Sequence, residues 1–487
     1  MALGKRKTKQ QELFIASNQI PKTPAHPFYS KLNQVFDECG FDAYVEELCA
    51  PFYKDFGRPG IAPGVYFRMI FIGYFEGLSS QRGIAWRCHD SLCLREFLGI
   101  SLTEKTPVHA SMTIIRQRLS DEVFNKVFLF VLEQLKAKKL LKGKTLGVDA
   151  TTLEANAAMR SIVRKGTGED WKEYLRELAK EEGIEIPTDE DIQRIDRGRK
   201  GKKVSNKEWQ SKTDPDSRIT KMKDGRTHLA YKAEHSVDLE TEAIVSCHVT
   251  HADQGDTTTG PESLILAEAN LQLIESERTV EEAVMDKGYH SNALLERLTQ
   301  WGIRTYIPEK KQKNRRWVDK PESYEHAFRG NRRRVRSDKG KRLSRKRSEL
   351  VERTFAHVCE TGAGRRTWLQ GMENVTKIHT LKCAAFNLGL LMRRIFGLAK
   401  PRNWEASLAT ALAAAFIMIF GEWMTQGAVK MVSTVLLLIS TILLCGLMKS
   451  KRDEIRIIRF SKLALIKRAV NSPLKKWRSA ANDSRMI

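Results

Sequence analysis

Three acidic residues stand where a carboxylate could do chemistry. Asp149 closes the apolar run Leu146-Gly147-Val148, and Asp286 closes Glu282-Ala283-Val284-Met285; both runs read as short buried strands. Glu352 follows Val351 and precedes Phe355 and Val358 in an amphipathic helical repeat, on or beside the packed face. A lone buried acid costs several kcal/mol unless it is hydrogen-bonded, paired or metal-bound. Carboxylates that share a site repel one another, and a divalent cation resolves the repulsion. Two Mg²⁺ ions held in this way would activate a water or a 3′-hydroxyl and stabilise the leaving oxygen in phosphoryl transfer. Acids at strand ends are common, so this reading needs support from elsewhere in the chain.

Charge provides some. The 487 residues carry 83 Lys+Arg against 59 Asp+Glu, a formal net charge of +24, and the pI is near 9.7. Such an excess points to a polyanionic partner, nucleic acid or an anionic membrane surface. Between Lys310 and Arg347 there are 17 Lys/Arg and four acids, with Trp317, Tyr324 and Phe328 interleaved. Basic residues alternating with aromatics fit phosphate tracking with base or sugar stacking. Arg315, Arg316, Trp317, Arg332, Arg333 and Arg334 are the candidate contacts there. The eight cysteines form no Cys-x-x-Cys pair and no Cys/His cluster of zinc-finger spacing, which favours reduced thiols over disulfides or a zinc finger. The basic N-terminus lacks a following apolar segment, so no signal peptide is expected.

The elements that must position the acids follow from periodicity and punctuation. Residues 1–30 are polar, and 31–140 read as a helical DNA-binding domain, with Arg82, Arg87, Arg116 and Arg118 on its helices. Residues 141–400 form an α/β unit: the Asp149 strand, a hairpin from His228 to Val249, a helix near Pro261–Glu275, the Asp286 strand, a helix over Asn292–Gln300, a strand over Arg304–Ile307 and a strongly apolar helix over Thr376–Phe396. Residues 165–226 are charged and read as an insertion or mobile arm outside the core. Residues 401–487 form an apolar and basic tail. Its run Met431–Met448 is 18 residues without charge, followed by Lys449, Lys451 and Arg452. That length is borderline for a membrane span, and a buried helical hairpin is the preferred reading.

Taken together the motifs resemble those of bacterial insertion-sequence transposases of the DDE type, in the insertion-sequence four/five-like group. Gly147-Val-Asp-Ala-Thr-Thr-Leu-Glu-Ala-Asn156 is similar to their first-acid strand, Asp286-Lys-Gly-Tyr289 to the second-acid motif and Val351-Glu-Arg353-x-Phe355 to the third. The resemblance extends over about residues 30–400 and takes in Leu48–Gly60, Asp214-Pro-Asp216, His228–His235 and Ala252–Asp256. It implies a ribonuclease-H-like mixed sheet flanked by helices, preceded by the all-helical domain and followed by the tail. It also implies Asp149, Asp286 and Glu352 as the catalytic, metal-binding triad, with Mg²⁺ as cofactor and Mn²⁺ able to substitute. The implied activity is strand cleavage and strand transfer at the terminal inverted repeats of the protein's own element. The implied partners are double-stranded DNA and a second copy of the chain, in the bacterial cytoplasm at the nucleoid. Lys287, Tyr289, Arg347 and Arg353 flank the acids and are further candidate DNA contacts. Related groups carry Tyr, Arg and Lys at fixed offsets around the Glu, where this chain has Arg345, Ser348 and Cys359; Arg347 and Arg365 are the nearest substitutes for phosphate clamping. A ribonuclease-H-like nuclease without joining activity and a non-catalytic DNA-binding remnant are the alternative readings.

Overall fold

The computed structural model describes residues 26–54, 60–198, 205–222, 225–310 and 317–401. The apolar tail expected over 401–487, with its proposed membrane run, lies outside them, apart from residue 401, as do Arg315 and Arg316. Among the described residues no helix is long and apolar enough to cross a membrane.

Seven helices come first: α1 (Pro27–Glu38), α2 (Phe41–Cys49), α3 (Pro63–Glu76), α4 (Gln81–Asp90), α5 (Leu92–Phe97), α6 (His109–Arg118) and α7 (Asp121–Ala137). Proline in the first turn starts α1 and α3, where its missing N–H costs nothing. Left-handed Gly77 ends α3. Helix α3 is apolar almost all round, as a helix buried on every side must be. The rest of the chain runs β1 (Thr145–Glu154), β2 (Ile162–Arg164), α8 (Trp171–Glu181), α9 (Asp189–Gly198), β3 (Trp209–Ser211), β4 (Arg218–Lys221), β5 (Thr227–Asp238), β6 (Ile244–His251), α10 (Asp256–Leu273), β7 (Glu282–Met285), α11 (Asn292–Gln300), β8 (Arg304–Tyr306), α12 (Glu322–Arg336), α13 (Asp338–Phe355) and α14 (Met372–Phe396).

Six strands make one mixed sheet. β1 lies at its centre, antiparallel to β5 on one side and parallel to β7 on the other; β8 continues beyond β7 in parallel, and β4 and β6 both pair antiparallel with β5. Successive residues of β1 face opposite sides. Leu146 and Val148 enter a core with Leu264, Ala267 and Leu271 of α10 and Leu294, Leu295 and Leu298 of α11. Gly147 and Asp149 face α13. There the absence of a side chain at Gly147 matters: a Cβ would lie 2.7 Å from Leu239 Cδ2, 2.9 Å from Val351 Cγ2 and 3.2 Å from Arg347 Cγ.

Helix α14 is buried along most of its length. Its Val375, Leu381, Ala384, Ala385, Leu388 and Leu391 join one apolar cluster with Phe67, Phe71 and Phe75 of α3, with Val127 and Val131 of α7 and with Val237 and Ile244 of the hairpin. The N-terminal helices and the α/β region therefore share a core. The 165–226 segment also departs from expectation, because its second half is structural. Trp209 is 4% exposed and packs edge-on against Trp171, and Asp214, fully buried, accepts hydrogen bonds from the Tyr231 hydroxyl (2.7 Å) and the Gly371 amide (3.0 Å). A charged composition concealed those anchors.

Because Gly147 fixes the approach of α13 to β1, Gly147→Ala should destabilise the chain by about 1–3 kcal/mol, the usual cost of overpacking. Equilibrium denaturation in urea would measure this as a lower midpoint at unchanged slope.

Candidate active site

The parallel pairing of β1 and β7 runs Thr145–Glu282, Leu146–Ala283, Gly147–Val284 and Val148–Met285. The next residues on the two strands are Asp149 and Asp286, so the register delivers both acids to the same end of neighbouring strands. Each is held by local backbone: Asp149 Oδ1 accepts from the Ala150 amide (2.9 Å), and Asp286 Oδ1 from the Gly288 amide (2.5 Å), which caps a single 3₁₀ turn over Lys287–Tyr289. The Asp149 side chain is 23% exposed. Burial pushes its carboxyl above the ordinary Asp value, the Arg347 guanidinium pulls it back, and the negative charge of Asp286 adds to the rise.

Arg347 is the most direct neighbour of Asp149. Its Nη1 donates to Asp149 Oδ2 at 2.7 Å and its Nη2 to Ser348 Oγ at 3.2 Å. Helix α13 places Arg347, Leu350, Val351, Thr354 and Phe355 on its buried side, and this turns Glu352 outward. The Glu352 side chain is exposed and has no hydrogen-bond or ion-pair partner among the described residues. The carboxylates of Asp149, Asp286 and Glu352 do not all lie within 4.8 Å of one another. The register thus unites two of the three acids, while the helix presents the third to solvent near Ser348, one turn away. The rival acid Glu349 is engaged with Arg353 at 2.5 Å.

A further carboxylate was not anticipated from the sequence as a site residue. Asp256 opens α10, and a Cβ built on Gly288 would collide with the carboxylates of both Asp256 and Asp286. Asp256 Oδ1 is 2.7 Å from Lys232 Nζ, which also lies 2.9 Å from Glu234 Oε1 and donates to Thr259 Oγ1 at 2.8 Å. Glu234, fully enclosed, accepts in addition from Thr259, from Ser263 Oγ (2.6 Å) and from the Tyr289 hydroxyl (3.0 Å). Breaking a buried, hydrogen-bonded ion pair of this kind costs about 3–5 kcal/mol. The network ties the 3₁₀ turn after Asp286 to β5 and to the start of α10. The signal that could have found Asp256 is an acid at a helix start, opposite a strand that carries Lys232 and Glu234 on one face.

Several expected DNA contacts are occupied within the protein. Tyr289 is 1% exposed with its hydroxyl on Glu234, so it is a positioning group and no surface contact. Phe328 is buried and Trp317 packs on it at 5.2 Å, so these two interleaved aromatics serve the core and are not free for base stacking. Arg334 donates to Thr305 (2.9 and 3.0 Å), Arg332 pairs with Glu309 (3.1 Å) and Arg353 with Glu242 (2.5 Å). In the N-terminal helices Arg116 is buried and donates to Asn374 at 2.9 Å. Lys287, Arg333, Arg342 and Arg345 remain exposed. Arg365 donates to Thr151 Oγ1 and the Thr152 carbonyl (2.8 and 2.9 Å), which sets it along the Asp149 strand.

Comparison with known proteins agrees with the arrangement. A family model described as a transposase domain (DUF772) matches residues 16–118, and one described as a transposase DDE domain matches residues 186–388. Asp286 and Glu352 fall inside the second span, and Asp149 precedes it. No match was found among curated proteins or solved structures. DDE transposases generally use divalent metal ions and act on DNA. With the two matched regions in chain order and paired acids at the strand ends between helical flanks, the chain belongs to the DDE transposases, enzymes that cleave and transfer DNA.

Proposed function

We propose that the chain cleaves DNA strands at the terminal inverted repeats of its own insertion sequence and joins the freed 3′ ends to a target, on a ribonuclease-H-like catalytic fold. The observation that carries this reading is the register of β1 on β7, which sets Asp149 beside Asp286. The strand order, an antiparallel β6-β5-β1 unit continued in parallel through β7 and β8, supports the same fold.

Asp149, Asp286 and Glu352 are the proposed metal-holding residues. The donor set suits hard divalent cations, which take oxygen ligands, Mg²⁺ first and Mn²⁺ in its place. Such ions would polarise the scissile phosphate and lower the pKa of the attacking hydroxyl. The adverse environment of Asp149, buried and next to another acid, favours a cation over an empty pair. Arg347 holds Asp149 in position until a phosphate competes for its guanidinium, which binds phosphate and carboxylate alike in a bidentate manner. Glu352 then approaches from the exposed side of α13. Lys287 and the basic side chains Arg333, Arg342 and Arg345 lie at the surface to receive the backbone of the polyanion. Transposition requires two element ends held together, so the working form is proposed to be a homodimer.

Asp149→Asn should abolish cleavage of a labelled terminal-repeat duplex and leave its binding in a mobility-shift experiment unchanged; wild-type cleavage by the variant would sink the proposal. The same variant makes a stability test. A raised carboxyl pKa means that ionisation is disfavoured in the fold, so Asp149 destabilises the metal-free protein as pH rises above the ordinary Asp range. Without metal, Asp149→Asn should therefore unfold at or above the wild-type temperature at pH 7, with the gain disappearing in acid. Added Mg²⁺ should stabilise wild type and leave the variant unmoved.

A second substitution probes the turn network. Asp256→Asn removes the charge facing Lys232 and should lower kcat at least about tenfold, because a small misplacement of catalytic groups has effects of that order or more. Unchanged strand cleavage in this variant would remove Asp256 from the positioning machinery. A pre-cut end incubated with a target plasmid separates transfer from hydrolysis: joined products are expected.

A further inference from the structure

Beside the catalytic strand, on the same face of the sheet, lies a second group of ligating side chains that the reaction does not use. His235 of β5 and Cys247 of β6 are direct cross-strand partners, and His235 is in turn the partner of Asp149 on β1. His379 and Cys383 sit four residues apart, one above the other on the sheet-facing side of α14. His235 Nε2 is 2.9 Å from His379 Nε2 and 3.4 Å from Cys383 Sγ. Among the described residues these three form the one set of three or more His, Cys, Asp or Glu whose ligand atoms all lie within 4.8 Å, and all three are buried.

The Thr354 hydroxyl has a single hydrogen and lies 2.8 Å from the Val351 carbonyl, to which it donates. Toward His235 Nδ1, at 2.9 Å, it therefore accepts, and Nδ1 carries the proton of a neutral ring. The Nε2 lone pair of His235 then points at the His379 nitrogen and the Cys383 sulfur. Cys247 stands next to them across the hairpin but outside that set of three, its thiol turned to Thr380 Oγ1 at 3.8 Å.

We propose that His235, His379 and Cys383 are the preformed part of a structural site for one tetrahedral Zn²⁺ ion, separate from the catalytic acids, with Cys247 turning from Thr380 to supply the fourth donor. Two imidazoles and two thiolates are a common structural zinc set. With Zn–N near 2.0–2.1 Å and Zn–S near 2.3 Å, tetrahedral ligands are separated by about 3.4 Å (N to N) and about 3.6 Å (N to S). The imidazole pair must open by about half an ångström, and the nitrogen–sulfur distance already fits. Uptake deprotonates both thiols, and the two protons leave to solvent: Zn²⁺ plus two Cys-SH gives the neutral Zn(Cys-S)₂ centre with two His ligands and two H⁺. A centre of zero net charge suits its enclosure, where Phe355 stacks on His235 at 4.2 Å. The ion would fasten the β5–β6 hairpin to α14, and through Thr354 to α13, one strand away from Asp149.

The test is elemental analysis of the full-length chain purified without strong chelators, with about one zinc per chain expected. Refolding with Co²⁺ should give the intense visible absorption and thiolate charge-transfer band of a tetrahedral thiolate site. Asp149→Asn should keep its zinc, while Cys383→Ser combined with His379→Gln should lose it. If that double variant does not fold, wild type stripped with a chelator supplies the reading: its unfolding temperature should fall, and Zn²⁺ but not Mg²⁺ should restore it. A folded wild-type chain that holds less than about one-tenth of an equivalent and takes up none from a Zn²⁺ buffer overturns the proposal. Zinc retained by a folded double variant overturns it equally.

Discussion

The parallel register of β1 on β7 is the constraint on which the site depends. It brings two like charges to adjacent strand ends, an arrangement that proteins otherwise avoid. Everything around the two acids serves to keep that arrangement in place. Arg347 neutralises one of them from α13, backbone amides hold both, and the Lys232–Glu234–Asp256 network fixes the turn that follows the second. An isolated two-strand contact would not withstand the repulsion. A sheet packed on both faces does, because slipping the register by one residue would send Leu146 and Val148 out of their core.

The two faces of β1 divide the labour. Its even-numbered side builds an apolar core with α10 and α11, and its odd-numbered side meets α13 through Gly147 and Asp149. A single row of side chains crosses four strands on that second side: Cys247, His235, Asp149 and, at the end of β7, Asp286. Soft ligands occupy one half of the row and hard carboxylates the other. The chemistry of the row changes character across one hydrogen-bonded strand pair, so two kinds of metal preference can coexist without exchange of ions.

Much of this was legible in the sequence. Apolar runs ending in acid located β1 and β7, alternation located the β5–β6 hairpin, and helical spacing located α11 and α14 to within a few residues but only the second half of α13, whose first ten residues read as basic surface. What could not be read was where long side chains end. The run from Lys310 to Arg347 looked like a DNA-tracking surface, yet Trp317 and Phe328 are turned into the core, and Arg334 and Arg347 reach inward to a carbonyl and a carboxylate. Charge counts weigh composition, whereas a guanidinium on a flexible stem can serve either side of a helix. Glu352 shows the finer limit: its apolar neighbours put it on or beside the packed face, and the helix buries Val351 and leaves Glu352 outside. The buried His and Cys residues escaped notice because His235 and Cys247 are adjacent only across strands.

The burial of α14 has a consequence for how the protein comes into being. The apolar faces of α3 and α7 are covered by a helix that ends at residue 396, long after both have left the ribosome. At about 5–20 residues per second, a nascent chain carries those faces uncovered for roughly tens of seconds. Until then the N-terminal helices are a ready substrate for chaperones and proteases. Truncation anywhere before α14 would therefore release a sticky fragment rather than a shorter enzyme.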